Sequence, residues 1–530
     1  MLEWSVTIGT ANGYETQTGR TSLSCGSIPV VCTLPEGELK SAVATVSLPI
    51  ADGEKIFMNG YQTWTNCPEY TRRDKIRGLH GLPKAVVDKF GLDRYGDYHF
   101  VQYPNRPGVT HGFSWAYFRL GQRYRLIASL DERPGYTMFS YDSNNCILTI
   151  ERDCAGVKCG GEFHAFDLYY AEGSEEEVFD GWFSAMGLSS PAAEPLRGYS
   201  SWYNRYEDIT EQTILADFAG CKTLLSPGDL FQIDDGWEPA VGDWLEPDRV
   251  KFPSGMKPLA DAIHEAGFKA GLWLAPFVCR RDSALMREHP DWLLKVDGKP
   301  WYCGCNWGGF YALDIDKPQV QDYLSRVFHR VLHEWGFDLV KLDFLYAAAP
   351  FGTAHESRGG RMIRAMDLLR ELCADKLILG CGVPLMPAFG RVDYCRISCD
   401  VSLDWDDKWY MRLVHRERVS TKQAIENTVF RRQLNGRAFL NDPDVFFLRD
   451  ENLRLSAERK ELLARVNALL GGVFLMSDDP STYTDEQRAF YKELVRLCGA
   501  EQVRVDADEM CVYYVLDGEQ RCFSLPGKWF

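Results

Sequence analysis

The chain has 530 residues, 45% hydrophobic, 25% charged and 13% aromatic, ordinary values for a globular protein long enough to hold two or three domains. Its 59 Lys and Arg against 75 Asp and Glu leave a net charge of −16, which argues against nucleic acid or an anionic membrane as partner and favours a neutral or cationic small substrate. No stretch approaches the ~20 consecutive apolar residues of a spanning helix, no basic and apolar leader opens the chain, and the 17 cysteines are odd in number and scattered, so a cytoplasmic protein with reduced thiols is expected.

Residues 1–190 are dominated by short alternating runs such as "SAVATVSLPI", "RYRLIASLDE" and "NCILTIERD", broken by Gly, Asn, Asp and Pro. This is the pattern of an N-terminal β-sandwich domain. Helical periodicity first appears at 174–186, where an acidic first turn follows a serine, and "SSPAAEPLRG" then reads as a linker. From about residue 198 short apolar strands alternate with amphipathic helices, as in a parallel α/β domain. Eight strands can be counted: "GYSSWYN", "DLFQIDD", "FKAGLWLAP", "DLVKLDF", "KLILGCG", "YCRISCD", "RAFLNDP" and "GGVFLMSDD". Eight closes a (β/α)8 TIM barrel, expected over 191–480. Helices are predicted at 209–219, 256–267, 317–335, 359–374, 421–434 and 456–470, while "VPLMPAFGRVD", between strands five and six, is too short for an ordinary one. A further helix, "TDEQRAFYKELVRLC", leads to alternating residues that predict a small C-terminal β-rich domain within 481–530. The expected fold class is thus multidomain.

Active sites of such barrels lie at the C-terminal ends of the strands. There the sequence places Trp202 and Tyr203, Asp234 and Asp235, Asp343, Cys381, Asp400, Asn441 and Asp442, and Asp478 and Asp479. Asp343 breaks an otherwise apolar strand, where an unpaired carboxylate is costly. Lys341, two residues earlier on the same face, offers a charge that would keep Asp343 ionised, and Arg396 precedes Asp400 by four residues. Such a cluster suits a glycosidic bond flanked by two carboxyls, oxygen ligation of a divalent cation, or structural salt bridges. Two cations at its rim count against the metal. The "YCGCNW" and "CRISC" cysteines lack zinc-site spacing, so neither metal nor cofactor is expected. Asn441, Asp442, Asp478 and Asp479 also fit loop capping, and Cys279, Cys303 and Cys305 fit packing, with "CGCNW", in the long loop before "FYALDID", a candidate border of the pocket.

Taken in order, "FQIDDGWE", "GLWLAPF", "LVKLDFLYA", "LGCGVPLMPA", "RISCDVSLDW" and "FLNDPD" resemble the retaining α-galactosidases of glycoside hydrolase family 36, with a more distant likeness to family 27. The resemblance spans roughly residues 198–480, and the β-rich flanks match that family's layout. It implies hydrolysis of terminal α-linked galactose, with Asp343 as nucleophile and Asp400, held neutral, as general acid/base, their carboxyls about 5–5.5 Å apart. It implies that Asp234 and Asp235 read the galactose 4- and 6-hydroxyls, that Lys341 and Arg396 contact sugar hydroxyls, and that Cys381 lines the side of the 2-hydroxyl. Trp202, Trp237 and Trp273 are candidates for stacking on pyranose faces, and Trp64, in "NGYQTW", for reaching over the barrel mouth. Ser398 and Cys399 depart from the small or proline residues common in close relatives, which softens the choice between galactose and N-acetylgalactosamine. An α-N-acetylgalactosaminidase or a transglycosylase would use the same pair, and a carbohydrate-binding protein is the non-enzyme alternative, disfavoured by the presence of both Asp343 and Asp400. The expected partner is an α-galactoside or related carbohydrate. Many relatives assemble, so a homo-oligomer stays open.

Overall fold

The computed structural model describes residues 1–413 and 415–525. Between Leu2 and Gly173, eleven antiparallel strands form one hydrogen-bonded sheet. Two of them, Gly26–Ser47 and Lys158–Gly173, are long and pair with each other from Lys158 opposite Glu38 to Tyr170 opposite Gly26, with register shifts between Cys159 and Gly161 and between His164 and Phe166. Such irregularities bend a strand and increase its twist. The two wings of the sheet therefore curl together, and the Phe113 N–H donates to the Asn59 carbonyl at 2.6 Å. Between them lies a core that includes Ile28, Val30, Ala44, Phe118, Ile127, Phe139, Ile150 and Leu168. The expected sandwich is thus a single sheet folded over itself. Alternation in the sequence marks which face is buried but not whether a long strand stops or carries on into the opposite layer.

The helix Glu175–Ala185 starts at a capping box in which the Ser174 hydroxyl accepts from the Glu177 N–H and the Glu177 carboxylate from the Ser174 N–H. Its face of Val178, Phe179, Trp182 and Phe183 is buried. Eight parallel strands follow: β1 (Leu196–Ser200), β2 (Leu230–Ile233), β3 (Lys269–Leu274), β4 (Leu339–Leu342), β5 (Leu377–Gly380), β6 (Tyr394–Arg396), β7 (Leu440–Asp442) and β8 (Val473–Met476). Each pairs with the next from β1 to β7, and β8 pairs with β1. Between β7 and β8 the Gly472 N–H donates to the Asn441 carbonyl at 2.9 Å and, further along, the Phe446 N–H donates to the Leu475 carbonyl at 3.0 Å. The barrel is therefore nearly closed.

The helices run over Glu211–Cys221, Lys257–Glu265, Pro318–His329, Arg358–Cys373, Thr421–Phe430 and Ala457–Leu470. Thr210, Ser357, Ser420 and Ser456 cap four of them through side-chain oxygens. The short link between β5 and β6 holds a four-residue helix, Leu385–Ala388. After the helix Asp485–Leu497, the strands Glu501–Asp506, Cys511–Leu516 and Glu519–Ser524 form a small antiparallel sheet. All 17 cysteines are free thiols, and no helix among the described residues is long and apolar enough to cross a membrane.

One buried cation fastens the N-terminal sheet to the barrel mouth. Arg431 is fully buried. Its Nη1 donates to the carbonyls of Thr63 (2.6 Å) and Ile397 (2.8 Å), its Nη2 to the Gln62 carbonyl (3.2 Å) and its Nε to Asn59 Oδ1 (3.1 Å). The segment carrying Trp64 is thereby held against the loop that leads to Asp400. Arg431→Met should leave these carbonyls without donors, at about 1–3 kcal/mol each. The expected fall in the denaturant midpoint then corresponds to at least about 2 kcal/mol, whereas the exposed Arg20→Met control should stay within about 0.5 kcal/mol.

Candidate active site

A cavity of about 430 Å³ opens at the C-terminal ends of the barrel strands. Asp234 and Asp235 follow β2 directly, and the chain then turns at Gly236, whose φ of 109° favours glycine and where a Cβ would lie 2.8 Å from the Glu207 carbonyl. Asp234 Oδ2 accepts from Gln232 Nε2 (2.6 Å), Lys341 Nζ (2.9 Å) and Ser200 Oγ (3.3 Å), while its Oδ1 accepts the Asp235 N–H (3.0 Å). Asp235 Oδ2 accepts the indole N–H of Trp307 at 2.8 Å.

Asp343 continues β4 by one residue, its N–H donating to the Leu274 carbonyl at 2.9 Å. Its side chain is buried, with Oδ1 accepting the Phe344 N–H (2.8 Å) and Oδ2 the Trp273 indole N–H (3.2 Å). Phe344 then takes a left-handed conformation, φ 52° and ψ 32°, uncommon for a residue with a large side chain. Gly382, just beyond Cys381, makes room for this turn, because a Cβ there would lie 2.9 Å from Trp64 and 3.0 Å from the Phe344 nitrogen. Trp64, Phe344, Trp307 and Trp273 form a chain of ring contacts with centroids 5.0–6.1 Å apart, an aromatic wall suited to the apolar face of a sugar.

The charges are distributed differently from the expectation that Lys341 would ionise Asp343. Lys341 bonds Asp234, and although burial opposes its charge, the attraction of Asp234 and Asp343 holds the ammonium above its ordinary range. Burial pushes the Asp343 carboxyl up; the positive field of Lys341 opposes that shift and the negative charge of Asp400 adds to it. A four-carbon stem lets Lys341 share a face with Asp343 while its nitrogen reaches across the barrel to another strand. Asp400, with 37% of its side chain exposed, pairs with Arg396 at 2.8 Å. The same guanidinium pairs with Asp442 (3.2 Å) and Asp444 (2.9 Å), so one positive charge serves three carboxylates. Burial raises Asp444 to about 6, Arg396 opposing and Asp400 and Asp442 adding to the shift.

Of the residues predicted from the sequence, Trp64, Trp202, Asp234, Asp235, Trp273, Lys341, Asp343 and Asp400 border the cavity. Arg396, Cys381, Tyr203 and Trp237 do not line it. Arg396 is consumed by its three carboxylates. Cys381 is fully buried beside Asp343. The Tyr203 hydroxyl donates to Asp444, and the indole of the fully buried Trp237 donates to the Trp273 carbonyl. Asp442 and Asp478 are held by Arg396 and Arg449, and Asp479 caps the turn Pro480–Thr482, in line with capping and pairing roles. Cys279 and Cys303 are buried, while Cys305 is exposed and borders the cavity.

Loops supply lining residues that the strand pattern did not reveal. Trp307 comes from the turn before Phe310. Tyr95 comes from the N-terminal region, and its hydroxyl donates to Asn306 at 2.6 Å. His415 and Glu417 lie in the loop after β6. Glu417 accepts from the Thr65 hydroxyl (2.8 Å) and the Tyr98 hydroxyl (2.6 Å), both from the N-terminal region. Burial pushes the His415 imidazole down, towards its neutral form. The His415 ring lies against the Leu92 backbone and the Glu417 carboxylate, Nε2 to Oε2 4.0 Å, while the Trp64 indole nitrogen is buried without a hydrogen-bond partner among the described residues.

The geometry can be set beside known proteins. The melibiase family model matches residues 199–360. An α-galactosidase of Escherichia coli is 34% identical over 154 residues, 27% of this chain and 21% of that one, so the chain spans about a fifth of the length of this curated relative. TtGalA, an α-galactosidase from Thermus thermophilus solved with p-nitrophenyl α-D-galactopyranoside, matches with a TM-score of 0.78 at 26% identity, covering 99% of this chain and 100% of that one. The fold alone is shared with the GH36 α-galactosidase AgaA from Geobacillus stearothermophilus, at a TM-score of 0.57, 15% identity, and coverage of 96% of this chain and 80% of that one. By sequence across the first half of the barrel and by fold along nearly its whole length, the chain is similar to the melibiase-type α-galactosidases of glycoside hydrolase family 36.

Proposed function

We propose that the chain is a retaining α-galactosidase that removes terminal α-linked galactose from oligosaccharides or glycoconjugates. The observation that carries this reading is that Asp343 and Asp400 border the same cavity, one buried and the other partly open to solvent, with the Asp234 and Asp235 carboxyls beside them. In the first step a carboxylate oxygen of Asp343 attacks the anomeric carbon, the glycosidic C–O bond breaks, and Asp400 gives its proton to the departing oxygen. In the second, Asp400 takes a proton from a water that attacks the anomeric carbon, the bond to Asp343 breaks and its carboxylate is released, and two inversions leave the anomeric configuration unchanged.

Each environment suits its role. Fixed N–H donors from Phe344 and Trp273 orient the Asp343 oxygens, as a nucleophile that must approach along one line requires. Asp400 must release a leaving group and admit water, and its exposed edge permits both. Arg396, which also pairs with Asp442 and Asp444, fixes the position of the Asp400 carboxyl. Asp234 is fixed by Lys341 and Gln232, which leaves acceptor capacity on Oδ1 for a sugar hydroxyl. An epimer that cannot supply that hydroxyl leaves a buried acceptor unpaired, the basis of strong discrimination.

Asp343→Ala should retain the wild-type circular dichroism spectrum and lose roughly four orders of magnitude or more in kcat/KM on an aryl α-galactoside; substantial residual turnover would remove Asp343 from the nucleophile role. NMR of the first product released should show the α-anomer, and a β-anomer would rule out double displacement. In Asp400→Ala, glycosylation by substrates with a good phenolate leaving group should fall much less than by those with a poor one, and equal losses would refute the acid assignment. A chromogenic panel of α-galactosides, α-glucosides and α-N-acetylgalactosaminides should show galactosides cleaved best.

A further inference from the structure

Glu238 has no part in the reaction above, yet it lies against a residue that does. After Asp235 the chain turns at Gly236 and brings the Glu238 side chain back under the strand end, where Glu238 Oε2 accepts the Gly236 N–H at 3.4 Å. The Glu238 and Asp235 carboxyls meet at hydrogen-bonding range. Asp235 is 4% exposed and Glu238 6%. The remaining partner of Asp235 is the Trp307 indole.

The charged groups around this pair are few. Glu207 adds negative charge from the segment after β1. Lys251 contributes a positive field to Glu238, but its ammonium donates to the carbonyls of Glu207 (2.9 Å) and Gly236 (3.0 Å). Arg280 feels the charges of Glu207 and Glu238 while it pairs with Asp282. Asp234, on the other side, is engaged with Lys341. Among the described residues no cation lies within ion-pair distance of either Asp235 or Glu238. Two carboxylates in contact, out of water and without a counter-ion, repel each other strongly; a single shared proton turns that repulsion into a charge-assisted O–H···O⁻ bond. In keeping with this, burial followed by the charge of Glu238 drives Asp235 well above the usual carboxylate range, and burial raises Glu238 as well.

We propose that Glu238 is a positioning residue that holds Asp235 as half of a one-proton carboxyl pair, so that this corner of the cavity offers a sugar hydroxyl a fixed oxygen with both donor and acceptor capacity. The inference rests on the reading of Asp235 as a sugar-binding group. Its consequence falls on binding rather than chemistry, which takes place at Asp343 and Asp400. When the shared proton is lost at high pH, Asp235 and Glu238 separate and the oxygen meeting the sugar shifts. The pair titrates as a unit.

Two measurements test it. On p-nitrophenyl α-galactoside the wild-type KM should rise by about tenfold per pH unit above the pair's upper titration while kcat changes far less. Glu238→Gln, whose amide supplies the hydrogen permanently, should lose that alkaline rise in KM, and a variant that keeps the wild-type KM profile would overturn the proposal. Independently of any activity, infrared difference spectra of the substrate-free protein near neutral pH should show one carboxylic acid C=O band in the wild type that is missing from both Glu238→Gln and Asp235→Asn. If the band stays in both variants, no proton is shared. If it disappears from both but no α-galactoside is cleaved, the pair stands and the substrate reading falls.

Discussion

Lys341 and Asp234 meet inside the barrel, the ammonium reaching from β4 to the end of β2, with 8% and 3% of their side chains exposed. Much of the mouth depends on this contact. Removing either partner would strand a charge out of water, at roughly 3–5 kcal/mol, and would free the carboxylate that anchors the first turn after β2. From that turn come Asp235, Gly236 and Glu238, and from the strand that carries Lys341 comes Asp343. Arg396 performs the matching task on the other side, where three carboxylates converge on one guanidinium. Two buried cations thus fix the positions of acids just beyond β2 and β6, at the end of β7 and just beyond it, and backbone and indole N–H groups complete the work where no cation reaches.

The N-terminal sheet takes part in the cavity itself. It delivers Trp64 and Tyr95 to the wall, and through Thr65 and Tyr98 it grips both oxygens of Glu417 on the loop that follows β6. The Thr63 N–H donates to the Val383 carbonyl, and Arg431 ties the same segment from beneath. The loop after β6 therefore has its shape imposed by residues more than 300 positions away in the chain.

The barrel was legible in the sequence because buried parallel strands are short apolar runs, and because a carboxylate at the end of such a run stands out against them. The capped helices were legible for the same kind of reason, each serine or threonine cap preceding an amphipathic stretch. What escaped were residues on irregular loops, which carry no period: Tyr95, His415 and Glu417; the "CGCNW" loop that carries Trp307 was legible only as a candidate border of the pocket. Electrostatic partners escaped too. The same-face rule correctly put Lys341 beside Asp343, but the flexible stem of a lysine lets its charge act elsewhere, and the pairing with Asp234 exists only once the barrel closes. Trp237 was a candidate both for stacking and for the core; its indole faces a neighbouring strand's carbonyl and is wholly enclosed. Asp444 passed unnoticed in "NDPD", since nothing local marks it as the partner of Arg396 and Tyr203.

The seam between β7 and β8 shows why Asp444 matters. The two strands touch at Asn441 and again at Phe446, and between these points stand Pro443, which has no N–H to give, and Asp444, with a φ of 77°. An unbroken ladder would have left that stretch extended. Interrupted, it turns aside, and Asp444 comes close to Asp400, where it receives the Val401 N–H at 2.8 Å as well as Arg396. The gap in the β7–β8 ladder thus frees the residue that brings a buried carboxylate to Arg396, a turn that a continuous ladder would have held extended.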